Sequence, residues 1–87
     1  MDFNRVLKNS VYRKIMRFFH ENPASIDTGR GVATWTDQDI KTVRASLKKL
    51  ASMGLLVAHR VSSTTGYSYT RDKGIVKKIG RLLEENE

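Results

Sequence analysis

The sequence predicts an α+β fold that is mostly helical, with a three-helix core, a β-hairpin and a C-terminal helix. Three observations predict it. Apolar residues recur at steps of three or four in Val11–Phe19, Ile40–Met53 and Ile75–Leu83, the spacing that lines one face of a helix. Between the last two stretches, Leu55–Val61 and Tyr67–Thr70 are rich in β-branched, aromatic and other apolar residues and flank the small polar segment Ser62–Gly66, as in a hairpin. Gly54 directly follows the second apolar stripe, where a left-handed residue closes a helix.

The first helix is expected over Ser10–His20, with Asn9 or Ser10 accepting from the free amides at its start. Val11, Ile15, Phe18 and Phe19 form its apolar face, Leu7 extends that stripe backward, and Arg13, Lys14 and Arg17 occupy the other side. Asn22-Pro23 ends it, because a residue before proline disfavours helical geometry. Ser25-Ile26 reads as a short strand. Asp27 or Thr28 then caps a second helix running to about Trp35. Gly29 and Gly31 weaken that helix by about 1 kcal/mol each relative to alanine, so packing through Val32 and Trp35 is expected to hold it. The third helix carries Ile40, Val43, Leu47, Leu50 and Met53 on one face and Lys41, Arg44, Lys48 and Lys49 off it, with Asp39 as its cap. The hairpin occupies about residues 55–70, its strand putting Tyr67 and Tyr69 on one packed face. Asp72 caps a last helix over about 72–85, and the Glu84–Glu87 tail is expected to fray.

The 87 residues suffice for one domain, taken as 1–87, with one modest core. There is no cysteine, so disulfides, thiolate metal sites and cysteine nucleophiles are excluded. No transmembrane run or signal-peptide apolar region is present, and a cytoplasmic location is the expectation. His20 and His59 are the only histidines, and they lack a third ligand at metal-site spacing. No Gly-rich phosphate loop, Gly-x-Ser-x-Gly or catalytic carboxylate pair appears. The chain is therefore expected not to be an enzyme and to need no cofactor. Its net charge of +7 and pI near 10.1 match the footprint of a nucleic-acid binder.

The order helix, strand, helix, helix, hairpin, helix resembles the winged helix-turn-helix superfamily of DNA-binding domains, in particular small prokaryotic-type regulators. The residues that carry the resemblance lie between Val32 and Tyr69, with Ser10–Phe19 as the supporting helix. Ala33 matches the small residue that precedes a buried valine, here Val43, by ten positions; Leu47 and Leu50 match the leucines that follow it. Met53-Gly54-Leu55-Leu56 matches the helix end that leads into the wing, and Arg60 falls at a common basic wing position. Two positions depart from the pattern: Asp37 stands where the turn often has glycine, and Gln38 where it usually has an apolar residue. Aspartate tolerates left-handed geometry better than most residues, and Ile40 or Trp35 is expected to supply the missing turn packing.

The resemblance implies double-stranded DNA binding and transcription regulation, with the third helix in the major groove. Lys41, Thr42 and Arg44 form the expected groove-facing set, and Ala45 is placed to meet a thymine methyl. The rival reading of a merely solvated face is disfavoured, because Asp39–Met53 contains Lys41, Arg44, Lys48 and Lys49 but no anion besides the cap. Lys48 and Arg60 are candidates for phosphate contact, and Ser63, Thr64 and Thr65 for hydrogen bonds to the flanking backbone. Ile75, Ile79, Leu82 and Leu83 are candidates for a homodimer contact; the alternative is that their stripe covers the first helix. The main alternative function is a protein-interaction module of the same fold in a larger complex, and RNA binding is a third.

Overall fold

The computed structural model describes residues 2–85. An N-terminal turn, α1 (Phe3–Val6), precedes the first long helix, α2 (Ser10–Glu21). The chain breaks between them because Asn9 is extended, with φ −71° and ψ 122°, and its side chain accepts from the Val11 and Tyr12 amides. Leu7 is thus not a backward extension of α2; it is fully buried from the break itself. Nothing in the pattern of so short a segment announced α1.

Strand β1 (Ile26–Thr28) lies slightly further along than Ser25-Ile26. Thr28 caps α3 (Gly29–Thr36) by accepting from Gly31 N. The turn to α4 (Ile40–Ser52) is closed by Asp37, left-handed at φ 53° and ψ 52°, so aspartate does take the glycine position of the motif. Asp39 caps α4, accepting from Thr42 N at 2.9 Å. Gly54, at φ +81°, follows α4 and turns the chain into the hairpin.

Strands β2 (Leu56–Val61) and β3 (Thr64–Tyr69) form that hairpin, and β1 joins its far edge, giving an antiparallel sheet in the order β1-β3-β2. The loop is shorter than the sequence suggests. Val61 pairs with Thr64, which leaves only Ser62-Ser63 outside the strands, and Ser62 takes the positive φ of 55°. Thr64 and Thr65 are β-branched and suit the pleated ladder. Gly66 marks no loop; it sits in the central strand, where a Cβ would lie 3.1 Å from Ile26 Cγ2.

Helix α5 (Lys73–Glu85) is capped by Asp72, which accepts from Ile75 N. Glu84 and Glu85 continue the helix; the rest of the predicted tail lies outside the described residues. The core joins Ile15, Met16 and Phe19 of α2, Val32 and Ala33 of α3, Val43, Leu47 and Leu50 of α4, Leu55 and Leu56, Tyr67 and Tyr69 of β3, and Ile79, Leu82 and Leu83 of α5. Val11, Phe18, Ile40 and Met53 pack at its margin, half-buried.

Trp35 is the main departure. It is 74% exposed and does not hold α3. The buried face of α3 is Gly29, Val32 and Ala33, and at 100° per residue Trp35 falls roughly 110° from the centre of that face. Half-buried Ile40, and not Trp35, supplies the apolar packing beside the turn.

Candidate nucleic-acid interface

The face of α4 opposite the core is exposed from its start and polar apart from Ala45. Lys41, Thr42, Arg44, Ala45, Lys48 and Lys49 are all exposed, while Val43, Ser46, Leu47 and Leu50 are buried. Ser46 is the one polar residue on the core side, and its hydroxyl donates to Thr42 O at 2.8 Å. Thr42 is tied to the cap: its hydroxyl donates to Asp39 Oδ2 at 3.0 Å, leaving its methyl and its lone pairs for anything outside. The bonds from Thr42, backbone first and then hydroxyl, hold the Asp39 carboxyl below the usual carboxylate range.

Strand alternation decides what the hairpin presents beside α4. Leu56, Ala58 and Arg60 pair with Tyr69, Tyr67 and Thr65 and share one sheet face. Leu56, Tyr67 and Tyr69 are buried in the core on that face. Arg60 and Thr65 continue it beyond the core, with Arg60 Nη1 3.5 Å from Thr65 Oγ1. Val57, His59 and Val61 lie on the outer face, where His59 Nε2 is 2.7 Å from Ser68 Oγ, so His59 is a strand-surface residue.

Between α4 and the hairpin lies a cleft of about 560 Å³ lined by Thr28, Gly29, Arg30, Arg44, Lys48, Arg60, Ser63, Thr64, Thr65 and Tyr67. Of the sequence-predicted residues, it gathers Arg44, Lys48, Arg60, Ser63, Thr64 and Thr65 in one concave surface. Lys41, Thr42 and Ala45 stand outside it, on the exposed start of α4. The cleft also contains a residue the sequence reading missed: Arg30, exposed at the start of α3. Pairing of β1 with β3, Thr28 opposite Gly66, brings that helix start to the hairpin, and no local sequence signal encodes the juxtaposition. Gly29 permits it, since a Cβ there would lie 2.7 Å from Arg44 Cγ. Among the described residues, the cleft lining holds four cations and no carboxylate, so its field attracts anions.

The C-terminal stripe is placed differently from a free contact surface. Ile79, Leu82 and Leu83 are buried within this chain, and Arg13 of α2 donates to Leu83 O at 2.7 Å. Their apolar width is thus accounted for by the core, and of the four candidate contact residues only Ile75 keeps substantial exposed surface. Among the described residues, no cluster of ligating side chains could hold a metal ion, and no helix is long and apolar enough to cross a membrane.

The arrangement of helices, sheet and hairpin is the winged helix-turn-helix fold. Three solved structures of that kind superpose over nearly the whole chain. One is the homodimeric winged helix-turn-helix DNA-binding domain of a possible ArsR-family transcriptional regulator from Mycobacterium bovis, with TM-score 0.73 and 20% identity over 93% of this chain and 71% of that one. Another is reduced HlyU from Vibrio cholerae, with TM-score 0.71 and 12% identity over 94% and 82% of the two chains. A third is a possible transcriptional regulator from Methanosarcina mazei, with TM-score 0.69 and 20% identity over 91% and 79%. At such identities the likeness is one of fold. No protein-family model and no curated protein matches the sequence.

Proposed function

We propose that this chain is a transcription regulator that binds double-stranded DNA, with α4 in the major groove and the hairpin on the flanking backbone. The observation that carries the reading is the cleft in which Arg30, Arg44, Lys48 and Arg60 converge with five hydroxyl-bearing residues and no carboxylate among the described residues. A groove about 12 Å wide takes one helix, and the exposed start of α4 offers Lys41, Thr42, Arg44 and Ala45 to base edges. Arg30, Lys48 and Arg60, with Ser63, Thr64 and Thr65, suit phosphates, which fix register without reading sequence. An A-form RNA duplex would offer α4 a narrow, deep major groove instead.

A chemical-shift titration with duplex DNA tests this. Amides of α4, of Arg30 and of the Arg60–Thr65 segment are expected to move, and those of exposed Lys77 and Arg81 on α5 to stay. No shifts at low salt, or shifts centred on α5, sink the proposal.

The same reading includes a homodimer, the state in which the Mycobacterium bovis domain was solved. Phe3, Val6, Ile75 and Val76 are half-buried apolar residues of α1 and α5, and Lys78 Nζ sits 5.3 Å from the Phe3 ring centroid, linking the two helices. A pair related by a two-fold axis would meet half-sites about one DNA turn apart. Sedimentation at micromolar concentration decides the matter: a dimer mass that Ile75→Glu dissociates is expected, and a monomer mass with and without DNA refutes it.

A further inference from the structure

Away from the cationic cleft, the end of α2 and the outer side of α3 enclose a second cleft of about 370 Å³, lined by Phe18, Glu21, Asn22, Ser25, Asp27 and Trp35. Its chemistry runs against the rest of the molecule. The chain carries a net +7, yet this lining has two carboxylates and no cation among the described residues. Trp35, the only tryptophan of the chain, is 74% exposed beside it. Exposing so large an aromatic side chain forgoes the burial that would stabilise a small domain.

Asn22 and Asp27 each keep an acceptor oxygen clear of their hydrogen bonds to Phe18 and Thr28. Asn22 Nδ2 donates to Phe18 O at 2.8 Å, which turns its carboxamide oxygen away from that bond. Asp27 takes the Thr28 amide on Oδ1 at 3.1 Å, leaving Oδ2 for other donors. Phe18 is fixed edge-on against Phe19, with ring centroids 5.1 Å apart. Two aromatic rings, two carboxylates and a carbonyl oxygen make an environment that attracts positive charge through ring faces and through Coulomb terms together. A shallower depression beyond Trp35 shares Phe18 and Glu21 but adds Lys14 and Arg17, so cationic charge on the protein closes that end to a long polycation.

We propose that the Phe18–Trp35 cleft is a binding site for a compact organic monocation of the quaternary or alkylammonium class. Glu21 and Asp27 supply the counter-charge, and Trp35 supplies the ring face. The site is independent of DNA binding, and its test contains no DNA.

Choline is the probe, followed through the Trp35 indole N–H and the Ser25 and Asp27 amides in a chemical-shift titration. The neutral carbon isostere of choline and potassium chloride at matched concentration serve as controls. Saturable shifts with choline alone are expected. Glu21→Gln, on an exposed side chain, is expected to weaken binding about 2- to 5-fold, the scale of an exposed ion pair. Trp35→Leu, followed through the same backbone amides, is expected to weaken it about 2- to 30-fold. Because neither side chain is in the core, both variants keep the fold, and the dispersion of the unshifted amides verifies this. Equal shifts with the isostere or with potassium chloride overturn the proposal. So does unchanged choline affinity in both variants, or response to a lysine-rich peptide but not to choline, which would assign the surface to a protein partner.

Discussion

The cationic cleft makes a quantitative prediction about salt. Each phosphate neutralised by a cation releases counterions and adds about −0.9 to the slope of log affinity against log salt. Arg30, Arg44, Lys48 and Arg60 line the cleft, so contact by all of them gives about −3.6 per subunit. Between about 50 and 200 mM salt, a fourfold change, that slope weakens binding about 150-fold. Arg44→Ala or Arg60→Ala removes one contact, lowering the slope to about −2.7 and the loss over the same range to about 40-fold. Lys77→Ala removes an exposed cation from α5, away from the cleft, and is expected to leave the slope alone. Fluorescence anisotropy of a labelled duplex, read at several salt concentrations for each variant, supplies the slopes. A parental slope in both Arg44→Ala and Arg60→Ala would refute the cleft as the phosphate contact. So would a Lys77→Ala slope lowered as much as theirs, since net charge and not the cleft would then govern binding.

Other consequences follow from the same geometry. Val43→Asp and Leu47→Asp, at fully buried positions, should abolish the cooperative thermal transition by burying an unpaired charge, while Lys41→Ala on the exposed face should melt as the parent does. Asp39→Ala should lower the midpoint of a denaturant titration through loss of the α4 cap. Because the Thr42 hydrogen bonds hold the folded Asp39 carboxyl below the usual carboxylate range, the parent's advantage over this variant should be full at neutral pH and shrink as pH falls through and below that range. Burial pushes the Tyr69 hydroxyl up from 10.0 to about 12; denaturant titration should show stability falling as pH rises through that interval because the unfolded chain ionises first. Gly29→Ala should displace the Arg44 side chain and weaken DNA binding more than it changes the melting temperature, and unaltered affinity would show that Arg44 acts from another rotamer.

Much of this architecture was legible because several signals coincided on the same residues. In α4, the period of Ile40, Val43, Leu47 and Leu50, the cap at Asp39 and the left-handed Gly54 all mark one helix, so its outer face followed directly. The hairpin's inner face was legible from Tyr67 and Tyr69 at period two. What was not legible has definite causes. Two turns of α3 hold too few apolar residues to fix the phase of its buried face, and a tryptophan's size suggested a core role that Val32 and Ala33 already fill. The stripe of α5 was readable, but a stripe does not name its partner; burial of Ile79, Leu82 and Leu83 depends on how α5 returns to the rest of the chain. Arg30 reaches the cleft only because β1 pairs with β3 across about forty residues of chain. The wing turn is shorter than its composition implies because Gly66, a common turn residue, is used for close approach of Ile26 inside the sheet.

The start of α3 is where local preference yields most to site geometry. Gly29 and Gly31 each cost the helix about 1 kcal/mol in propensity relative to alanine, and both positions are crowded. A Cβ on Gly29 would press on Arg44 Cγ, and a Cβ on Gly31 would collide with the Asp27 carboxylate. The glycines therefore let a cation from α4 and a carboxylate from β1 approach the same helix turn. Those side chains then serve opposite surfaces: Arg44 lines the cationic cleft, and Asp27 lines the aromatic cleft that runs to Trp35. Thr28, between them in sequence, caps the helix and itself lines the cationic cleft. A helix so weak by composition holds its place through these neighbours and through Val32 and Ala33 in the core.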